Sequence, residues 1–460
     1  MMLSEPLIEQ ILDRAAGGYE ELTRAANGAR FCRHPVQLSN IAPEYQWNRL
    51  SATYERPSKS DFRGLYFKAC GTRRRTRCDA CSEIYKGDAR HLILAGLLGG
   101  KGVSPEVATH PTVFATFTAP SFGRVHKCGS RGGKRIVCGP SSARCVHGRR
   151  MGCWRRHGED DEIVGSPLCD QCYDYEGAVL WNAASSKLWQ RTTIYLRRSL
   201  AKLLEVRGSD LSKMVRLSYV KVIEYQRRGL VHLHVLLRAD SPDDVSMPPD
   251  VEVSAVQIEI AIRMAVATAK ISLADTESNR VISWGEQIDI RPVDEGDSAK
   301  VANYIAKYAT KSASDSGGLD RRFRTQREIA SVEAPRHLKM MAETAFALGH
   351  REVGRDLNLA MWAHDLGHRG HFLTKSRQFS VTFSYLRQIR QLWREAQREE
   401  LGGTVDQPYN EHEPLYFVGQ GWLFAGDAYL VGQQRNEYIE ARVLFREQKA
   451  EEPQAQGALI

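Results

Sequence analysis

The stretch Glu224-Tyr-Gln-Arg-Arg-Gly-Leu-Val-His232-Leu-His234-Val-Leu-Leu237 sets the expectations for the rest of the chain. It predicts a β-hairpin, because two runs rich in apolar and aromatic residues, 216–226 and 231–238, flank a short turn at 227–229. The glycine in that turn can adopt a positive φ without steric cost. The two histidines are two residues apart on one strand, so both side chains lie on the same face of the sheet.

The register of this hairpin predicts a third polar group beside the histidines. A three-residue loop places Glu224 opposite His232, with Cβ atoms about 4.5–5.5 Å apart on the same face. Two imidazoles and a carboxylate would form a half-open site for a divalent metal ion. A shift of one residue would replace Glu224 by Tyr225. Polar residues on the solvated face of a strand are the alternative interpretation.

A second motif is Tyr304-Ile-Ala-Lys307-Tyr308-Ala-Thr-Lys311. An Asp-Ser pair at 297–298 is a good N-cap, so the motif is predicted to lie on a helix. Tyr304 and Tyr308 are then one turn apart on one face, and each is followed three residues later by a lysine on the neighbouring surface. Ordinary packing of an apolar stripe is the alternative interpretation of the tyrosines.

Together, a His-hydrophobe-His strand and a later Tyr-x-x-Lys-Tyr-x-x-Lys helix resemble the HUH endonucleases, which include rolling-circle replication initiators and relaxases. The doubled tyrosine resembles the branch that contains the gene A proteins of small single-stranded DNA phages. Most of the chain is similar to the RepSA-type initiators of actinomycete plasmids and integrative elements. The stretches with this similarity are 113–122, 167–175, the hairpin, the tyrosine helix, 362–364 and 371–377.

The resemblance implies an α+β fold, namely an HUH palm, which is an antiparallel sheet of βαββαβ order with helices on one face. Zinc-stapled insertions and a helical C-terminal region would be added to it. The same element order follows from the sequence pattern, with strands near 113–118, 216–226, 231–238 and 281–291 and helices near 176–206 and 253–268. Residues 335–400 are predicted to be helical.

The resemblance also implies a metal-dependent DNA nicking-joining endonuclease that initiates rolling-circle plasmid replication. In such enzymes His232, His234 and Glu224 would bind Mg²⁺ or Mn²⁺ as the catalytic ion. A tyrosine would attack the DNA phosphate, leaving a 5′-phosphotyrosine and a free 3′-OH. The phosphate partners would be Lys307 and Lys311.

Both Tyr304 and Tyr308 are candidate nucleophiles, and Tyr308 is favoured for the first attack because Lys311 borders a basic segment at 312–327. The implied partners are origin DNA, single-stranded or in a hairpin at the nick site, and the host helicase and polymerase. A conjugative relaxase of the same chemistry is one alternative function. A zinc-containing DNA-binding regulator without catalysis is another.

Composition agrees with a protein that binds nucleic acid. Lys and Arg number 64 and Asp and Glu 55, so the net charge is +9 and the isoelectric point is about 9.0. A basic chain permits a DNA partner. A start without a basic segment and the lack of an apolar run of about 18 residues predict a cytoplasmic protein with no membrane partner.

The ten cysteines are predicted to bind metal before they form disulfides. Cys78 and Cys81 have the spacing of a zinc knuckle, and Cys70 and Cys32 could complete four thiolates. His34 is a substitute for one of them.

A second zinc site is predicted in a cysteine-rich insert at about 125–175. This insert is poor in apolar residues, so it needs a bound metal ion to stabilise its fold. The predicted ligands are Cys145, Cys153, Cys169 and Cys172. His157 and Cys138 are the alternates. The sequence therefore predicts two structural zinc ions per chain.

The predicted organisation has four parts. Residues 1–104 form an N-terminal region with the zinc knuckle, and 105–330 form the nicking domain with its insert. Residues 331–445 form a mainly helical region predicted to bind DNA, and 446–460 a disordered tail.

Overall fold

The computed structural model describes residues 29–30, 32–39, 46–48, 53–55, 66–131, 133–274, 279–309, 319, 321–400 and 423–427. The chain divides into two compact units, one formed by residues 1–85 and 391–460 and the other by residues 86–390. The sequence boundaries at 104, 330 and 445 stay predictions. The tail predicted at 446–460 and Lys311 lie outside the described residues.

The described strands, in chain order, are β1 (Val36–Ser39), β2 (Gln46–Asn48), β3 (Thr53–Glu55), β4 (Tyr66–Lys68), β5 (Thr112–Phe117), β6 (Ser130–Arg131), β7 (Lys134–Arg135), β8 (Arg216–Tyr225), β9 (Val231–Asp240), β10 (Lys270–Ala274), β11 (Asn279–Ser283), β12 (Ile288–Pro292), β13 (Leu373–Lys375) and β14 (Leu423–Asp427). The described helices are α1 (Asp79–Leu98), α2 (Tyr175–Leu203), α3 (Leu211–Met214), α4 (Ala255–Thr268), α5 (Ser298–Ala309), α6 (Gln326–Ser331), α7 (Arg336–Leu348), α8 (Glu352–Asp356) and α9 (Phe383–Glu400).

In the first unit, β1 pairs with β4 and β14 in an antiparallel sheet, and β2 pairs with β3. The second unit is built on a five-stranded antiparallel sheet in the order β12-β5-β9-β8-β13. Its middle strand, β9, contains both histidines of the quoted stretch. The sheet and the order β5, α2, β8, β9, α4, β12, α5 agree with the sequence pattern.

The predicted hairpin and its register are confirmed. Glu224 lies opposite His232, and the Gln226 N–H donates to the Leu230 carbonyl at 2.9 Å. Gly229 closes the turn with φ of 74°. A Cβ at this position would also lie 2.5 Å from Met341 Sδ, so the turn requires glycine for space as well as for its backbone conformation.

Two strand predictions need correction. The run 281–291 is not one strand, because β11 ends at Ser283 and pairs with β10 rather than with the central sheet. The chain bends at Gly285, whose N–H donates to the Thr118 carbonyl, while the Trp284 indole donates to Thr192 Oγ1 at 2.8 Å. The second correction is β13, which lies in the segment predicted to be helical and adds an edge strand beside β8.

Helices cover both faces of the central sheet, which corrects the prediction that they lie on one face. On one face, alternate side chains of β9 such as Leu233 pack in the main core with α2 and α4. On the other face, Arg238 donates to the Gly96 carbonyl of α1, and the Tyr308 ring of α5 lies against His234. The reason is that β9 is buried on both sides along almost its whole length, and such a strand needs a layer on each face.

Lys221 of β8 is buried in the core, with its ammonium group 6.0 Å from the centre of the Trp189 ring. Burial lowers the pKa of Lys221 from 10.5 to about 8, because it disfavours the charged form. Such a lowering corresponds to about 3 kcal/mol of lost stability. A cation–π contact offsets about 1 kcal/mol of that loss.

Replacing Lys221 by methionine is therefore expected to stabilise the protein at pH 7 by about 2 kcal/mol in urea unfolding. Below pH 8 the Lys221 amine is protonated in both the folded and the unfolded wild-type chain, so the methionine variant shows its full gain in stability there. As the pH rises from about 8 towards 10.5, only the unfolded state still binds the proton, the wild type becomes more stable, and the gain shrinks. The exposed Lys187→Met variant is the control, and a gain that does not change with pH would contradict the assignment.

Candidate active site and metal-binding clusters

The two histidines of β9 lie side by side on the face covered by α5. Their rings are stacked with centroids 5.0 Å apart and planes inclined by 14°. His234 Nε2 is 3.1 Å from Glu224 Oε2, across the strand pair that the sequence register predicts. His234 is buried and Glu224 is half-buried, so the carboxylate closes the site on the side of β8.

The second histidine has a polar partner that the sequence reasoning did not identify. The Gln226 side-chain amide lies 2.7 Å from His232 Nδ1, and the Arg228 guanidinium donates to Gln226 Oε1 at 2.8 Å. Gln226 lies on the same face of the hairpin as Glu224, two residues closer to the turn, and that register was the available signal.

Two threonines, one in β5 and one directly after it, lie next to the two imidazole rings. Thr116 Oγ1 is 3.3 Å from His234 Nδ1, and Thr118 Oγ1 is 3.5 Å from His232 Nε2. Both contacts follow from the pairing of β5 with β9, which places Thr116 directly opposite His234.

The protonation of His232 suits a metal ligand. Burial, and then the neighbouring His234, lower the pKa of His232 to about 4, so the imidazole is neutral at pH 7. A neutral imidazole has a lone pair for a metal ion. Two imidazoles and a carboxylate therefore fit a divalent cation by donor chemistry. Among the described residues, these three do not have all their ligand atoms within 4.8 Å of one another, in contrast to the clusters below.

Both tyrosines of the second motif lie over this histidine face. The ring centroid of His234 is 4.9 Å from that of Tyr308, nearly parallel, and 5.7 Å from that of Tyr304, nearly perpendicular. The two phenol rings are 4.8 Å apart. The opposite side of α5 is buried, and it presents Ala302, Ile305, Ala306 and Ala309. The amphipathic helix therefore directs both tyrosines to one place.

The tyrosines differ in accessibility. Tyr304 is 46% exposed, whereas Tyr308 is half-buried. Burial, a hydrogen bond with Tyr304 and the Glu224 charge raise the pKa of Tyr308 above its ordinary value. Tyr308 is thus a phenol at neutral pH, and positive charge is required to make it a nucleophile. Lys307 is exposed on the same helix.

The structure brings Cys32, Cys70, Cys78 and Cys81 into one cluster within the first unit. The sulfur–sulfur distances are 3.8 Å for Cys32–Cys78, 3.6 Å for Cys32–Cys81 and 3.7 Å for Cys70–Cys81. A tetrahedron with Zn–S bonds of about 2.3 Å has edges of about 3.8 Å. The spacing of the four thiols therefore matches a closed Zn(Cys)₄ site.

Backbone groups support thiolates in this cluster. The Cys70 N–H donates to Cys32 Sγ at 3.2 Å, and the Arg33 N–H donates to Cys78 Sγ at 3.3 Å. Hydrogen bonds among the four sulfurs lower the pKa of Cys70 and Cys78 and raise the pKa of Cys32 and Cys81. A lower pKa favours the thiolate, which is the form that binds metal. His34 is exposed and is not a member of the cluster.

The second predicted ligand set is not brought together as a whole. Cys145, Cys169 and Cys172 gather with His147, whose Nδ1 is 3.3 Å from Cys172 Sγ and 3.8 Å from Cys169 Sγ.

Cys153 lies in a different group with His126, Cys138 and His157. The reason is a β-bridge between Gly139 and Cys153, which joins two loops of the insert.

None of the described helices combines the length and the apolar character needed to cross a membrane. The model of the family described as "Replication initiator protein, pSAM2" matches residues 18–436, which is most of the chain. The chain therefore belongs to the RepSA family of replication initiators, and the resemblance to RepSA-type initiators is confirmed.

A relative in this class is a replication initiator protein of Streptomyces ambofaciens. It is 38% identical over 378 residues, which cover 79% of this chain and 77% of the relative. No solved structure matches the chain.

Proposed function

We propose that this protein initiates rolling-circle replication by nicking and rejoining one DNA strand at its origin. The observation that carries the proposal is the position of the two-tyrosine helix α5 directly over the paired histidines of β9. A five-stranded antiparallel sheet with those histidines on its middle strand is what an HUH palm requires. Membership of a replication-initiator family supports the biological role.

The residues that would bind the catalytic Mg²⁺ or Mn²⁺ are His232, His234 and Glu224. Such an ion, when bound, polarises a phosphate and neutralises charge that develops on it. Gln226, oriented by Arg228, holds the His232 ring in place through Nδ1. Burial keeps that imidazole neutral and available.

The tyrosines perform the covalent step in this proposal. A phenolic oxygen forms a bond to phosphorus while the bond from phosphorus to the 3′ oxygen breaks. The phenol loses its proton and the 3′ oxygen gains one, so the products are a 5′-phosphotyrosine and a free 3′-OH. Lys307 and Lys311 would contact the phosphate, and host helicase and polymerase would extend the 3′-OH.

Two tyrosines allow two successive transesterifications in one chain. While one tyrosine holds the 5′ end, the other can attack the regenerated site, since their rings are only 4.8 Å apart. The greater exposure of Tyr304 favours it for DNA that enters from solvent, whereas Tyr308 is closer to the His234 ring.

The cysteine clusters have a different role in this proposal. We assign zinc to Cys32, Cys70, Cys78 and Cys81, and a second zinc to the group with Cys145, Cys169 and Cys172. Closed sites of this kind contribute directly to folding. The region 331–445 is proposed to add DNA contacts.

The test is a nicking assay on supercoiled plasmid with the cognate origin, in Mn²⁺. The expected products are nicked circles whose 5′ end is covalently attached to the protein. A plasmid with a scrambled origin is the control. Origin-specific binding without any cleavage would replace this proposal by a non-catalytic regulator.

A further inference from the structure

We propose that His126, Cys138, Cys153 and His157 form a further zinc site, interleaved with the Cys145 site in the insert. Their four ligand atoms all lie within 4.8 Å of one another. His126 Nδ1 is 3.2 Å from His157 Nε2, and Cys153 Sγ is 3.3 Å from the same nitrogen. Two thiols and two imidazoles form a common tetrahedral ligand set for zinc.

A carboxylate orients one of these ligands. His157 Nδ1 donates to Asp161 Oδ2 at 2.6 Å, and this places the proton of the neutral ring on Nδ1. The lone pair of Nε2 is then directed at Cys153 and His126. A carboxylate behind a histidine is the usual support of a zinc ligand.

The backbone supports the thiol side of the site. The Lys127 N–H donates to Cys138 Sγ at 3.1 Å, which fixes the position of the sulfur. The loops that contain Cys138 and Cys153 are joined by paired backbone hydrogen bonds between Gly139 and Cys153, at 3.0 and 2.8 Å. The geometry is thus built by backbone pairing as well as by the ligands.

The ligand pairs alternate between the two sites along the chain. Their order is 126 and 138, then 145 and 147, then 153 and 157, then 169 and 172. The first and third pairs form one site, and the second and fourth pairs form the other. Each ion therefore closes a loop that contains a ligand pair of the other ion, and loss of one ion is expected to loosen the other site.

The insert has little else to stabilise it. Among its described residues between 124 and 172, Val164 is the one buried aliphatic side chain, whereas Ile136, Val146 and Trp154 are exposed. So small an apolar core does not stabilise a segment of this size, and metal ions supply the missing free energy.

The insert also contacts the turn of the catalytic hairpin. Arg227 Nη1 donates to the carbonyl of Asp161 at 3.0 Å, next to the carboxylate that orients His157. Gly165, with φ of 92°, approaches so closely that a Cβ there would lie 2.4 Å from the Arg227 carbonyl carbon. The zinc pair thus stabilises the surface on which this turn rests.

The first measurement is the zinc content of the full chain purified without added metal, by elemental analysis and native mass spectrometry. We expect three zinc ions per chain, one more than the sequence predicts. The Cys128→Ser control, which changes an exposed thiol outside the three described groups, should also hold three. Two zinc ions in the wild-type protein would overturn the further site.

Two variants test the ligands themselves. Cys138→Ser combined with His157→Ala should hold two zinc ions or fewer, and retention of three would overturn the proposal. His157→Cys supplies another zinc ligand and should keep three.

A third measurement uses only the wild-type protein, so its result does not depend on whether a variant folds. In the zinc-loaded chain, Cys138 and Cys153 should resist alkylation while Cys128 reacts, and a strong chelator should make all three reactive. Peptide mapping by mass spectrometry measures the extent of alkylation at each cysteine separately. Alkylation of Cys138 as fast as Cys128 in the zinc-loaded protein would show that no metal is bound there.

Discussion

Replacing His232 or His234 by alanine is expected to abolish cleavage of single-stranded origin DNA and to leave DNA binding largely unchanged. Polarisation of the phosphate by the bound ion is worth several kcal/mol, so cleavage should fall by about 10³-fold or more. Affinity should persist because contacts to the DNA backbone elsewhere supply most of it. Cleavage rates on a labelled oligonucleotide and a binding titration at fixed salt measure the two effects.

The control for the His232 and His234 variants is His350→Ala, which removes an exposed histidine of the same unit. EDTA should reproduce the loss in the wild-type protein, and Mn²⁺ should restore cleavage. If the doubly substituted protein nicks at the wild-type rate in EDTA, the metal assignment to β9 is wrong.

The double Tyr304→Phe and Tyr308→Phe variant is expected to form no covalent protein–DNA adduct. Each phenol loses only its oxygen, so the rings can keep their packing against His234. Either single variant should keep some adduct, because the remaining tyrosine lies on the same face of α5. Denaturing gels of adducts on a labelled origin oligonucleotide measure this, and mass spectrometry identifies the modified tyrosine.

Strand joining separates one-tyrosine from two-tyrosine chemistry. If both tyrosines take part, each single Phe variant should be impaired in joining even where it still forms adduct. Tyr385→Phe, at an exposed tyrosine of α9, is the control. Adduct at one tyrosine alone, with full joining by the other variant, would reduce the mechanism to one nucleophile. Adduct in the double variant would exclude these tyrosines altogether.

Local patterns in the sequence were sufficient to predict the hairpin and the face that its polar groups share. Alternation along the strands and a glycine turn fix the register, and the register fixes which side chains are opposite, as Glu224 and His232 show. The tyrosine helix is equally local, because an N-cap and a spacing of four residues place both rings on one face. The membership in an initiator family followed from these same motifs.

The grouping of metal ligands was only partly predictable. The knuckle pair Cys169 and Cys172 is local, since two cysteines separated by two residues are close enough to bind the same ion. The other ligands of the same site cannot be predicted from local spacing, because they depend on which loops come into contact. The bridge between Gly139 and Cys153 draws Cys153 away from Cys145, and His147 takes its place.

The sequence alone thus determined the strand, the helix and the spacing within each ligand pair, which depend on contacts between residues close along the chain. Only the tertiary structure decided that the tyrosines lie over His234 and that helices cover both faces of the sheet. The physical reason is that these arrangements depend on contacts between distant segments. Their geometry follows from packing of the whole unit, and no local pattern in the sequence records it.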